Sequence, residues 1–210
     1  MCLIVHGRVK NLLDLNLEQA MKSNPDGWGL HSAHGVFYSF GLPNDDIRAF
    51  LSSKKKQNWM VTIHFRYATH GTISIDNAHP FRLNDTEWLM HNGCLSGDMF
   101  DHKTKSDTAI LAEVLKDCGP KGRDFILEQL AEEIGYGNRF CILRKNGWTR
   151  YGNWHYDRKT LTWHSNRQLL GSPKSNVPKV KTHSDWDWAT RQSDPFDYDD
   201  EVNVRNPLGF

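Results

Sequence analysis

The sequence predicts an α+β fold in one domain, and three observations carry that expectation. Strand-like segments come first and last, two amphipathic helical segments lie between them, and no βαβ alternation or glycine-rich phosphate loop breaks the order. A chain of 210 residues is also long enough to bury a core without disulfides or metal.

Residues 2–5 read as a buried strand at the start. Residues 17–21 form a short helix, which Ser23-Asn24-Pro25-Asp26-Gly27 ends as a dense turn signal. Residues 28–33 and 36–40 make a hairpin around His34-Gly35. Pro43-Asn44 opens a helix through Leu51. The run Lys54-Lys55-Lys56 behind it reads as a solvated, dipole-favoured helix end rather than a nucleic-acid patch.

The next strand covers residues 59–65, followed by a motif-dense loop over 66–81 and a strand over 87–91 that runs into Asn92-Gly93. Ile110, Leu111, Val114, Leu115 and Cys118 recur at helical spacing, with Ser106 as N-cap and Gly119 beyond the end. Leu127, Leu130, Ala131 and Ile134 mark a second helix closed by Gly135. Residues 140–144 and 148–151 flank Asn146-Gly147, a strong hairpin signal, and residues 161–164 add a last strand. Beyond Gly171 no core-forming period remains. The expected division is a domain over 1–170 and an extended or partly disordered tail over 171–210.

Composition narrows the function classes. Lys and Arg number 26 against 25 Asp and Glu, so no global field favours nucleic acid or an anionic membrane. Cys2, Cys94, Cys118 and Cys141 are too few and too far apart for a disulfide scaffold or a CxxC metal pair. The apolar start ends at His6, short of a secretory signal, and no stretch approaches a membrane span. A reducing, cytoplasmic setting is the expectation.

The residue with most chemical content is Cys2. Trimming of Met1 puts a thiol and a free α-amine on one carbon. The amine titrates near ~7.7–8.0 against ~8.5 for a free thiol, so one residue supplies nucleophile and base. Asn92 and the N–H of Gly93 offer two donors for one oxyanion. Arg66 offers a planar fork for a carboxylate, with Thr69 and His70 as further donors, and Asp107 stands where a helix begins. Each also has a plain structural reading: an apolar strand residue, an Asn-Gly turn, half of an Arg-Asp pair, a helix-dipole carboxylate.

Taken in order, the segments resemble the class II glutamine amidotransferases, which are N-terminal-nucleophile hydrolases. The resemblance rests on Cys2, Asp26-Gly27-Trp28-Gly29-Leu30, His64-Phe65-Arg66-Tyr67-Ala68-Thr69-His70-Gly71, Asn77-Ala78-His79-Pro80-Phe81, His91-Asn92-Gly93 and Ser106-Asp107-Thr108. It spans about the first half of the chain; nothing beyond Phe140 carries a signature. It implies a four-layer αββα sandwich. It also implies Cys2 as nucleophile, Asn92 and Gly93 as oxyanion hole, and Arg66 with Thr69 and His70 as the clamp on the glutamine α-carboxylate. Asp107, with the Gly93 carbonyl, is implied as partner of the α-ammonium.

Glutamine is thus the expected substrate and a γ-glutamyl thioester the expected intermediate. In the family the ammonia usually passes to a synthase site. The residues after the domain are too few for one, so a separate synthase chain or water is the expected acceptor. No cofactor or metal is expected: His64, His70, His79 and His91 have no diagnostic spacing, and no Cys or acidic ligand completes a set. Tyr67 stands where many members carry Trp, and Cys94 puts a second thiol beside the site. Two other readings are a hydrolase of γ-glutamyl peptides or other amides, and a catalytically idle domain that binds a partner through its acidic-aromatic tail.

Overall fold

Two antiparallel sheets carry the fold in the computed structural model, which describes residues 2–39, 45–133, 137–145 and 147–169. The first sheet has the order β3-β2-β4-β1-β10-β9, built from β1 (Leu3–Arg8), β2 (Trp28–Ser32), β3 (Gly35–Ser39), β4 (Met60–Phe65), β9 (His155–Asp157) and β10 (Thr162–His164). The second has the order β5-β6-β7-β8, from β5 (Phe81–Arg82), β6 (Glu87–Asn92), β7 (Arg139–Arg144) and β8 (Gly147–Tyr151). Helices α1 (Val9–Leu12), α2 (Leu17–Ser23) and α3 (Asp45–Ser53) belong with the first sheet, α4 (Asp107–Lys116) and α5 (Pro120–Glu133) with the second. The mixed architecture with antiparallel sheets agrees with the expected α+β class.

The pleat of β1 shows how the core divides, because successive side chains of a strand point to opposite faces. Leu3 and Val5 join Leu12, Leu17, Ile47, Leu51 and Phe65 in one apolar cluster of strands and helices. Ile4, between them, packs instead with Met90, Cys141 and Leu143 of the second sheet. A third cluster holds Leu89, Phe140 and Ile142 against Leu111, Leu115 and Leu127 of α4 and α5. Each fully buried side chain of this size contributes about 1.5–3 kcal/mol of transfer free energy, so the clusters fix which face of each element turns inward. A buried ionic cluster ties α5 to the second sheet. Glu87 receives Arg123 on one carboxylate oxygen and Arg144 at 2.7 Å on the other.

The sequence expectations for the strands and helices hold with shifted ends. β1 runs on through His6-Gly7-Arg8, and α1 follows it directly with no turn residue to announce it. β5 and β9 have two and three residues, too short for a periodic signal. α5 begins at Pro120, well before the apolar residues that mark it in the sequence. Ser106 caps α4 as expected, its hydroxyl accepting from Ala109 N at 3.2 Å. Phe40, the Pro43-Asn44 helix start, Ile134-Gly135, Asn146 and the tail over 171–210 lie outside the described residues. No described helix is long and apolar enough to cross a membrane.

Candidate active site

Cys2 sits just before β1, and the β1–β4 register explains its neighbours. Leu3 pairs with Phe65, so one step further the start of one strand meets the end of the other at Arg66 and Tyr67. The Cys2 Sγ accepts from Tyr67 N at 3.3 Å and lies 3.3 Å from Tyr67 O, to which its S–H donates. The Cys2 carbonyl accepts from Asn166 Nδ2 at 2.7 Å. Burial pushes the thiol pKa up; the Tyr67 N–H and the positive charge of Arg66 oppose it, and Asp107 adds to the rise. A thiol held protonated in this way needs a base before it can attack.

Asn92 ends β6 and is fully buried. Its Nδ2 lies 2.8 Å from Ser165 Oγ, and the same hydroxyl accepts from Ile4 N at 2.8 Å. Ser165 therefore bridges the two sheets beside Cys2, a role with no sequence signal. In this arrangement Asn92 Oδ1 has no partner. Turning the amide by 180° keeps its shape. The Ser165 O–H can then donate to Oδ1, and Nδ2 takes the position that has no partner in the other orientation.

The turn after Asn92 is fixed by a buried hydrogen-bond relay. A Cβ on Gly93 would overlap Asn138 Oδ1, so only glycine fits there. That oxygen accepts from Cys94 N at 3.0 Å and from His91 Nε2 at 2.8 Å. Burial holds His91 below its ordinary pKa, against the pull of Asp107 and Asn138, so its ring is neutral near pH 7. With Nε2 donating, Nδ1 accepts from Thr108 Oγ1 at 2.8 Å. Asp107 closes the relay: Oδ1 accepts from Thr108 N and Oδ2 from Leu95 N, both at 2.7 Å. Asp107 is thus buried at the N-terminus of α4 and clamps the Gly93-Cys94-Leu95 turn.

Arg66 is 4% exposed, and its fork is only half used. Nη2 donates to Thr72 O at 3.1 Å and His70 O at 3.4 Å, while Nη1 has no partner. The structural Arg-Asp pair considered from sequence is not what the structure contains: among the described residues no salt bridge involves Arg66. Asp26 instead accepts from Ala68 N at 2.7 Å, and its backbone N–H donates to the Arg66 carbonyl at 3.1 Å. Burial lowers the Arg66 pKa from its very high ordinary value, with Cys2, Asp26 and Asp107 acting in the other sense.

The loop beyond Arg66 is pinned to α4. Gly71 has φ +70° and sits so close to Ser106 N that a Cβ would fall 2.6 Å from it. Asn77 binds both sides, donating to Thr104 O at 2.6 Å and Thr72 O at 3.0 Å and accepting from Ser106 N at 2.6 Å. Thr69 is exposed in this loop. His70 gives Arg66 its carbonyl, and its ring Nδ1 lies 3.7 Å from Cys94 Sγ. Cys2, Arg66, His70, Asn92, Gly93 and Asp107 therefore stand at two strand ends and the loops beyond them, one helix start and the residue before β1. No hydrogen bond among the described residues joins Thr69 to them. Ser165, Asn138, Thr108 and Asn77 complete the setting.

The chain is similar in structure to glutamine phosphoribosylpyrophosphate amidotransferase from B. subtilis, solved in complex with ADP and GMP. The likeness has a TM-score of 0.52 at 17% sequence identity, and it covers 80% of this chain and 42% of that one. It is a likeness of fold, and the chain spans less than half the length of that enzyme. No protein-family model matches the sequence, and no curated protein matches it.

Proposed function

We propose that residues 1–170 form a glutaminase domain of the class II amidotransferase type, a four-layer αββα sandwich whose nucleophile is Cys2 once the chain before it is removed. The observation that carries the reading is the buried, half-used Arg66 fork beside the Cys2 thiol, with the Asp107 carboxylate near enough to act on both. A free α-amino acid bears a carboxylate and an ammonium on one carbon, and a buried cation with an open N–H next to a buried anion suits that pair. The fold likeness to a glutamine-dependent amidotransferase supports the same reading.

The Cys2 α-amine takes the thiol proton, and the thiolate adds to the side-chain carbonyl carbon of glutamine. Asn92 Nδ2 and Gly93 N–H donate to the oxyanion, a contribution of about 10²–10³ in rate per donor. The ammonium returns its proton to the leaving nitrogen, the C–N bond breaks, and ammonia and a γ-glutamyl thioester result. Water, deprotonated by the amine, then adds to the thioester and releases glutamate and the thiol. Ammonia goes to a separate synthase chain or to solution. No metal or cofactor takes part in these steps.

Steady-state kinetics with glutamine, its α-amide and its N-acetyl derivative test the reading. Arg66→Ala and Asp107→Asn each lower kcat/KM for glutamine by about 30-fold or more. The loss shrinks on the α-amide for Arg66→Ala and on the N-acetyl derivative for Asp107→Asn. A wild-type preference for the N-acylated substrate assigns the site to γ-glutamyl peptides instead. No turnover of any of the three leaves the chain a non-catalytic domain.

A further inference from the structure

Three side chains of different elements converge at this site without a shared task in the reaction above. A ring nitrogen of His70, Cys94 Sγ and an Asp107 carboxylate oxygen all lie within 4.8 Å of one another. The His70–Cys94 separation is 3.7 Å, long for a hydrogen bond to sulfur. A tetrahedral zinc, with Zn–S of about 2.3 Å and Zn–N of about 2.0 Å, holds its sulfur and nitrogen ligands about 3.5 Å apart. Asp107 is anchored for such a role. The N–H groups of Leu95 and Thr108 each occupy one of its oxygens at 2.7 Å and leave further lone pairs on both. Gly71, packed on Ser106, brings the His70 segment to α4, and the Leu95 N–H on Asp107 holds the Cys94 segment there.

We propose that His70, Cys94 and Asp107 form a binding site for a thiophilic divalent cation of the zinc type, and that this cation and the substrate ammonium exclude each other at Asp107. A thiolate, an imidazole and a carboxylate are a zinc-type donor set, and three protein ligands leave a fourth position open to water. Binding displaces the Cys94 thiol proton to solvent as the Sγ–metal bond forms. The exclusion rests on the proposed function, because it requires Asp107 to hold the ammonium of glutamine. The binding site itself does not.

The test is a cobalt titration of the reduced, tag-free full chain carrying Cys2→Ala, followed by absorption. One equivalent of Co²⁺ gives a thiolate-to-metal charge-transfer band that Zn²⁺ abolishes. Cys94→Ser removes the band with no change in thermal midpoint, and His70→Ala weakens Co²⁺ binding by at least about 10-fold. No band at millimolar Co²⁺, or a band that survives Cys94→Ser, overturns the site. In protein with Cys2 intact, Zn²⁺ raises KM for glutamine and leaves kcat unchanged, and Cys94→Ser abolishes that effect. A fall in kcat at saturating glutamine that persists in Cys94→Ser places the metal on Cys2 and overturns the exclusion. A cobalt site in a chain that turns over no glutamine keeps the site and removes the proposed function.

Discussion

The helix-facing sides of the two sheets and the space between the sheets are built from different chemistry. The outer clusters are mainly apolar, with Leu3, Phe65 and Leu51 in one and Leu89, Phe140 and Leu115 in the other. The second also carries the buried Glu87–Arg123 pair and His91 on its helix-facing side. The seam between the sheets has few buried apolar residues and many rings. His6 stacks on Trp148 at 3.9 Å, His31 tilts on Trp88 at 4.8 Å, and His64 stacks on His79 at 3.9 Å. Burial depresses His31 to about 4 and His64 to about 3, and puts His79 well below its ordinary value. The candidate site opens at the end of this seam, where Ser165 joins Ile4 to Asn92. The apolar side chains of the outer clusters supply stability that pH does not touch. The seam supplies the polar setting of the site and is conditional on neutral rings.

The largest effect expected on that contrast is in an outer core. Leu51→Ala, at a fully buried position of the first outer cluster, lowers unfolding free energy by about 2–5 kcal/mol in urea titrations. The loss is the same at pH 8 and pH 6, since no titrating group is removed.

Acid acts on the seam. A histidine whose folded pKa lies below its unfolded value of about 6.5 binds its proton preferentially in the unfolded chain. Its contribution is whole above that value and falls as pH drops toward the folded pKa. At pH 5, His31 and His64 each withdraw about 2 kcal/mol relative to pH 8, and His79 acts in the same direction. Unfolding free energy measured from pH 8 to 5 should therefore fall by several kcal/mol. His31→Gln should flatten that curve by about 2 kcal/mol whatever it does to stability at pH 8. A curve unchanged by the substitution would mean that the seam does not carry the acid sensitivity.

A smaller effect separates positioning from packing beside the site. Asn138→Ala strands the buried His91 N–H and frees the Cys94 N–H, at a stability cost of about 1–3 kcal/mol. Because Gly93 packs on the lost side chain, kcat for glutamine should fall while KM stays within a few-fold. A change confined to KM would assign the relay to substrate binding.

Much of this was legible in the sequence because strong local signals coincide with real ends. Ser106 does cap a helix, His34-Gly35 does turn a hairpin, and Asn92 does end a strand. Cys2, Arg66, Asn92 and Asp107 could be singled out because Cys2 follows Met1 and the other three stand in short ordered motifs that resemble a known family. What the sequence hid is long-range pairing. Ser165 and Asn138 are ordinary loop residues until the fold brings them to Asn92 and His91 across separations of 73 and 47 positions. The His70-Cys94-Asp107 cluster was invisible for the same reason. Histidine spacing alone offered no partner for His70, whereas the structure places Cys94 and Asp107 around it.

The central claim is that Cys2, with its own α-amine free, is the nucleophile. Intact-mass analysis of the mature protein before and after a diazoketone analogue of glutamine, followed by peptide mapping, tests it most directly. The account predicts a chain that starts at Cys2 and gains one adduct, located on Cys2 and suppressed by excess glutamine. An adduct on Cys94, or full labelling and turnover in a chain that keeps a residue before Cys2, would contradict it.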